Sequence, residues 1–257
     1  MIDLHLHTTA SDGLLAPAAL VARAAASGLK TISVTDHDTA AGLPEAAEAA
    51  ARHRLRLVAG VEITSIAEGR DVHMLAYFID PSNSSFADFL RTQRGDRLAR
   101  VRRIGERLAE LGCPIDVDEI MASSTGTARS VGRPQLADAL VANGYAADRD
   151  DAFTRLLAEG APAFVPRCGP APEAVIAIVR DAGGVASLVD AGLAALEVRH
   201  SDHDALTEKR YRDVAAHHGL AVSGGSDFHG DAGRRASMLG RVGISEDELS
   251  ALESRRP

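Results

Sequence analysis

Short runs rich in Val and Ile alternate along this chain with Ala-rich stretches of helical period, and that alternation limits the fold more than any other feature. The apolar runs are Ile2–Leu6, Thr31–Thr35, Leu55–Val61, Val72–Ile79, Ala163–Val165, Val185–Leu188, Leu193–Val198 and Leu220–Ser223. Helical stretches cover Pro17–Ser27, Leu43–His53 and Glu173–Ala182, with Gly28 and Gly183 placed to end two of them. Strands and helices in this order predict a parallel sheet or a (β/α) barrel. Residues 84–160 break the pattern, being helical almost throughout, from the arginine-studded run Phe86–Leu111 to Arg149–Leu157. They are expected to form a helical insertion or cap, which leaves 1–83 and 161–257 as the barrel domain.

The chain has 257 residues, enough for one large α/β domain. Cys113 and Cys168 belong to no paired motif, which predicts neither a disulfide framework nor a thiolate zinc site and fits a reducing, cytoplasmic setting. No apolar run approaches the roughly 20 residues of a membrane span, so no membrane partner is expected. The net charge of −8 argues against a broad nucleic-acid surface. It does not exclude phosphate substrates, because bound metal ions can supply positive charge.

The histidines carry the functional signal. His5 and His7 alternate at the end of the first run, so a strand points both the same way. Asp12 follows in Ser-Asp-Gly, His37 in Thr-Asp-His-Asp, Glu62 in Gly-Val-Glu, His73 in Asp-Val-His, and Asp227 with His229 in Gly-Ser-Asp-Phe-His-Gly. Most lie at or just beyond the C-terminal end of a predicted strand, the face on which barrels build active sites. Each alone is an ordinary rim histidine or turn carboxylate. Eight of them on one face would be a costly cluster without cations, and imidazole with carboxylate suits Zn, Mn or Fe.

In their order these motifs resemble the PHP (polymerase and histidinol phosphatase) superfamily of metal-dependent phosphoesterases. They are most similar to its bacterial branch that acts on nucleoside 3′,5′-bisphosphates or trims RNA from the 5′ end. The resemblance implies a distorted (β/α)7 TIM-like barrel with a helical insertion. It also implies two to three divalent ions per chain. One would use His5, His7, Asp227 and bridging Glu62, a second Glu62 and His73, a third Asp12, His37 and His229. Asp227, His229 and His37 would be catalytic, with a metal-bound hydroxide attacking phosphorus. Asp36 and Asp38 would orient ligands. Arg133, in Gly-Arg-Pro before a predicted helix, resembles a substrate-binding arginine, and His200 a histidine that contacts phosphate. The alternative for Arg133 is a solvated surface position, and the arginines at 91, 94, 97, 100, 102 and 103 are read as a solvated helix face that could steer a nucleotide.

One departure stands out. Family members carry His-Pro after the strand that here reads Gly-Gly-Val-Ala-Ser-Leu, and this chain continues Val-Asp-Ala-Gly instead. The crossover near 188–193 is too short for two parallel strands, so a loop and most of a helix are expected to be deleted. The second ion should then be weakly held or absent. The leading expectation is a hydrolase of nucleotide phosphate monoesters or short RNA ends. Histidinol phosphate phosphatase and a catalytically impaired metal- or phosphate-binding module are the alternatives.

Overall fold

The computed structural model describes residues 1–125, 131–187, 194–230 and 234–257. Seven strands form one sheet in sequential order: β1 (Ile2–Leu6), β2 (Thr31–Val34), β3 (Arg56–Ala67), β4 (Arg70–Tyr77), β5 (Val185–Ser187), β6 (Ala195–His200) and β7 (Ala221–Gly225). β1, β2 and β3 pair in parallel, as do β5, β6 and β7. The sheet nearly closes into a barrel. Leu6 bridges Phe228 just beyond β7, and the His7 amide donates to the Phe228 carbonyl at 3.0 Å.

Helices α1 (Pro17–Ala26), α2 (Leu43–His53), α7 (Pro172–Asp181), α8 (Ala205–His217) and α9 (Glu246–Glu253) accompany the strands. Between β4 and α7 run α3 (Ser84–Glu110), α4 (Val117–Thr125), α5 (Arg133–Ala142) and α6 (Arg149–Ala152), the last passing into a π turn at Phe153–Leu157. Leu20, Ile32, Val34, Val61, Ile63 and Phe86 belong to the main core between sheet and helices. Val101, Leu108, Leu136, Leu140 and Leu157 bury a second apolar cluster within the helical segment.

Two expectations need correction. The alternation predicts parallel strands throughout, but β4 runs antiparallel to both β3 and β5. Only Glu68 and Gly69 separate β3 from β4, both with left-handed φ (50° and 77°), and two residues make a hairpin where a parallel pair needs a helix-sized crossover. Glu62 therefore lies within a twelve-residue strand and does not end a short one. Ala163–Val165 is not a strand. Ala163 and Val165 are buried in the apolar cluster of the helical segment, so a short apolar run serves packing there without pairing. The expected deletion at 188–193 lies outside the described residues.

Candidate metal centre

His5 and His7 flank Leu6 at the end of β1, where the pairing with β2 shifts register between Asp3 and Leu6, and Ile2 and Leu4 pack in one apolar cluster while Leu6 packs in another. Glycine backbone lets the neighbouring segments close in. A Cβ on Gly225 would lie 2.3 Å from the His5 nitrogen, and one on Gly13 2.4 Å from the His7 carbonyl oxygen. The loop after β1 is pinned by Asp36, which accepts from the Thr8 amide (2.7 Å), the Thr8 hydroxyl (2.6 Å) and the Ser11 hydroxyl (2.6 Å). That fixes the turn carrying Asp12. Beyond β7, Asp227 adopts φ 51°, a left-handed conformation that Asp tolerates better than most residues.

The eight residues singled out in the sequence meet here. Glu62 is the hub: its Oε2 lies 3.3 Å from His5 Nε2, 3.1 Å from His7 Nε2 and 3.3 Å from His37 Nδ1, while its Oε1 lies 2.5 Å from His73 Nδ1. Asp227 Oδ1 approaches His5 Nε2 and His7 Nε2, each at 3.3 Å. Asp12 approaches His229 Nε2 at 3.3 Å and His37 Nε2 at 3.6 Å. His200 joins them, with Nε2 3.3 Å from Asp227 Oδ2. Among the described residues four convergent donor groups result: His7–Asp12–His37–His229, His5–His200–Asp227, His5–His7–Glu62 and His37–Glu62–His73. His37 thus stands beside Glu62 and His73, a grouping the sequence pattern does not give.

Electrostatics separates these residues. Burial is the largest influence on each carboxyl and favours its neutral form. The surrounding imidazoles outweigh it and hold Asp12, Glu62 and Asp227 well below the carboxylate range. Burial pushes the His7 imidazole down, but Asp227, Glu62 and Asp12 raise it to about 10, and Glu197, Asp227 and Glu62 raise His5. His37 is dominated by its burial and falls to about 3.

The donor chemistry fits divalent cations. His7 Nε2 and His37 Nδ1 are buried without a hydrogen-bond partner, each close to a carboxylate oxygen it does not properly bond. Buried polar atoms left this way are rare, and a cation among imidazole nitrogens and carboxylate oxygens satisfies both sides. The groups consist of imidazole nitrogens and carboxylate oxygens, with no thiolate.

These groups open onto a cavity of about 670 Å³ whose far wall includes Arg97, Arg100, Arg133 and Arg167. The reading of Arg97 and Arg100 as solvated surface residues is corrected here. Arg97 donates twice to buried Asp38 (3.1 and 2.7 Å) and Arg167 once (2.7 Å). Arg100 is buried, donates to the Val165 carbonyl at 2.8 Å and lies 3.7 Å from Asp71. Arg133 begins α5, lies 3.9 Å from Asp71 and faces the rings of Phe153 and Phe164. Among the described residues, Asp38 accepts from Arg97, Arg167 and the Thr64 amide and from no candidate ligand, so it orients these two arginines of the wall.

Sequence reasoning missed Glu197, Asp71, Arg167 and Arg235, all of which line the cavity. Glu197 was detectable in principle as a charge inside the apolar run Leu193–Val198. Arg235 contacts Asp227 and donates to Asp202 at 2.6 Å, contacts with no local signature.

The PHP domain profile matches residues 3–149. The chain is 36% identical over 249 residues to the 5′-3′ exoribonuclease Rnm of Salmonella typhimurium, covering 88% of this chain and 84% of that protein. It is 33% identical over 269 residues to the 3′,5′-nucleoside bisphosphate phosphatase of Chromobacterium violaceum, covering 96% and 92%. The crystal structure of a proposed metal-dependent phosphoesterase from Bifidobacterium adolescentis superposes with a TM-score of 0.88 at 36% identity, covering 100% of this chain and 96% of that one.

Proposed function

The chain belongs to the PHP domain family of metal-dependent phosphoesterases, and from that premise we propose that it hydrolyses a phosphate monoester of a nucleotide bearing a second phosphate, a 3′,5′-bisphosphonucleotide. One observation carries this reading: a cationic wall faces the carboxylate–imidazole cluster across a single cavity. Among the described residues, these four guanidiniums share two carboxylates, Asp38 and Asp71, so positive charge is left over for an anion that the metal centre does not itself hold. Short RNA with a 5′ phosphate is the second reading, supported by the similarity to the exoribonuclease.

Bound divalent ions would supply Lewis acidity, neutralising phosphate oxygens and acidifying a coordinated water. His5, His7, Glu62 and Asp227 would hold one, His37, Glu62 and His73 another, and Asp12 with His229 a third. The protein's own groups do the positioning. His200, beside Asp227, can donate to a phosphate oxygen at the reacting end. Arg133, only loosely paired and braced by two rings, presents its planar fork to the distal phosphate. The helical segment 84–160 acts in this reading as a cap supplying Arg97, Arg100 and Arg133. Among the described residues no helix is long and apolar enough to cross a membrane.

A panel of a 3′,5′-bisphosphonucleotide, histidinol phosphate and short 5′-phosphorylated RNA, assayed with Mn²⁺, tests the proposal. Turnover of the bisphosphonucleotide above the others is expected. Preference for histidinol phosphate overturns it, and silence on all three points to a binding module. Arg133→Ala should raise KM for the bisphosphonucleotide about 10- to 100-fold, the worth of a charge-assisted contact, with kcat much less changed. KM for a nucleoside monophosphate should move less. Equal shifts for both substrates would remove Arg133 from the distal site.

Metal uptake should also release protons. Without metal, His7 carries its proton up to about pH 10, and a cation cannot share that nitrogen. Calorimetric titration with Mn²⁺ at pH 7.5 in two buffers of different ionisation enthalpy should report release of at least one proton. Affinity should rise with pH as His7 and His5 lose theirs. The same raised value means that the His7 charge stabilises the metal-free fold below about pH 6.5, its ordinary value, and that this contribution disappears as pH rises through about 10.

A further inference from the structure

Resting on the metal reading of this centre, we infer that Glu197 is the positioning residue that fixes His5 for coordination. His5 Nε2 points between Glu62 and Asp227, 3.3 Å from each, and its Nδ1 lies 2.9 Å from Glu197 Oε1. An imidazole whose Nδ1 proton is given to a carboxylate presents the Nε2 lone pair, and only that tautomer can bind a cation lying between Glu62 and Asp227. Glu197 belongs to none of the four convergent donor groups, so its carboxylate acts through His5.

The other histidines have different supports. His7 Nδ1 is 3.4 Å from the Ser11 hydroxyl, which itself donates to Asp36, and His229 Nδ1 lies 2.9 Å from the Asp227 carbonyl oxygen. His200 Nδ1 accepts from the Asp202 amide at 3.1 Å and lies 3.8 Å from the Asp202 carboxylate, whereas His5 Nδ1 lies at hydrogen-bond distance from the Glu197 carboxylate.

A β-bulge after Glu197 brings His200 to the same side. β6 pairs with β7 through Glu197–Ser223 and then Arg199–Gly224, with the register shifting between them. Strict alternation would put Glu197 and His200 on opposite faces, three positions apart. The extra residue rephases the strand, so Glu197 reaches His5 and His200 reaches Asp227.

The test uses Zn²⁺ as the probe on wild-type protein, E197A and E197Q. Zn²⁺ affinity is measured against a chromophoric chelator, and the imidazole nitrogens of the loaded proteins are read by ¹⁵N NMR. E197A should bind Zn²⁺ about 10- to 100-fold more weakly and lose the His5 signature of a protonated Nδ1 with a coordinated Nε2. E197Q keeps an acceptor oxygen and should fall between E197A and wild type. Wild-type affinity in E197A with an unchanged His5 signal overturns the inference. A loss in E197Q as large as in E197A also overturns it, because Glu197 would then be a ligand in its own right. Wild-type protein that takes up no Zn²⁺ overturns the metal reading itself, a result distinct from either.

Discussion

Asp227→Asn should lower kcat on the preferred substrate by on the order of 10³-fold or more, the loss of several kcal/mol of metal-centred stabilisation. The substitution is nearly isosteric, and Asn accepts the left-handed φ of 51° as readily as Asp, so the backbone after β7 should keep its course. The chemistry changes completely. Oδ1 faces two imidazole nitrogens at 3.3 Å, and Oδ2 faces His200 at 3.3 Å and the Arg235 guanidinium. An amide places an NH₂ group on one of these sides and removes the negative charge. Asp227 is also among the groups that raise His5 and His7, so the metal-free variant should hold their protons less tightly. Steady-state kinetics, with metal content measured on the same samples, decides the matter. A kcat within tenfold of wild type would exclude Asp227 from the reacting centre.

Asp38→Asn should cost about 3 to 5 kcal/mol of stability, the usual result of removing one partner from a buried ion pair. Asp38 is fully buried, and its two arginine partners are nearly so, with side chains 13% and 6% exposed. Burial works against its charge, but Arg97 and Arg167 overcome it and hold the carboxyl below its ordinary value. Its contribution is therefore present above the ordinary carboxylate pKa and fades as pH falls through the lower, folded one. Without the carboxylate, two guanidiniums face each other in a poorly solvated wall, where burial and Arg97 already push Arg167 down. Urea denaturation at pH 7 should show the full loss, and the gap between variant and wild type should narrow in acid. A loss below about 1 kcal/mol would mean that water or the substrate cavity solvates these arginines.

Residues whose geometry follows from local period were legible in the sequence. His5 and His7 both reach Glu62, as their two-residue spacing predicts, and Asp12, Asp227 and His229 lie in loops beyond β1 and β7, as strand-end placement predicts. The hairpin at Glu68–Gly69 was less legible, because a strand ending at Val61 and one continuing to Ala67 look alike until their partner is known. The cationic wall was not legible. Asp38 and Arg97 are 59 residues apart, and the Val165 carbonyl that receives Arg100 lies 65 residues away. An arginine on a long helix carries no mark of which buried acid will meet it. Glu197 keeps the face that period two gives it, but His200 does not, because the register of β6 shifts between Glu197 and Arg199.

The near-closure of the barrel has one more consequence. Among the described residues, β1 and the segment after β7 are joined by bridges at Leu6–Phe228 and Ile2–Ile244, helped by the Ser226 amide donating to Asp3 across 223 residues of sequence. The candidate ligands straddle that joint, with His5 and His7 on one side and Asp227 and His229 on the other. On the proposed reading, a loaded centre would act as a reversible cross-link between β1 and the segment after β7. It takes the place of a disulfide in a protein whose two cysteines are both free. Closing so long a loop removes much of the unfolded chain's freedom, and coordination made in the folded state counts as folding free energy. On that reading, metal loading and closure of the barrel would be the same event.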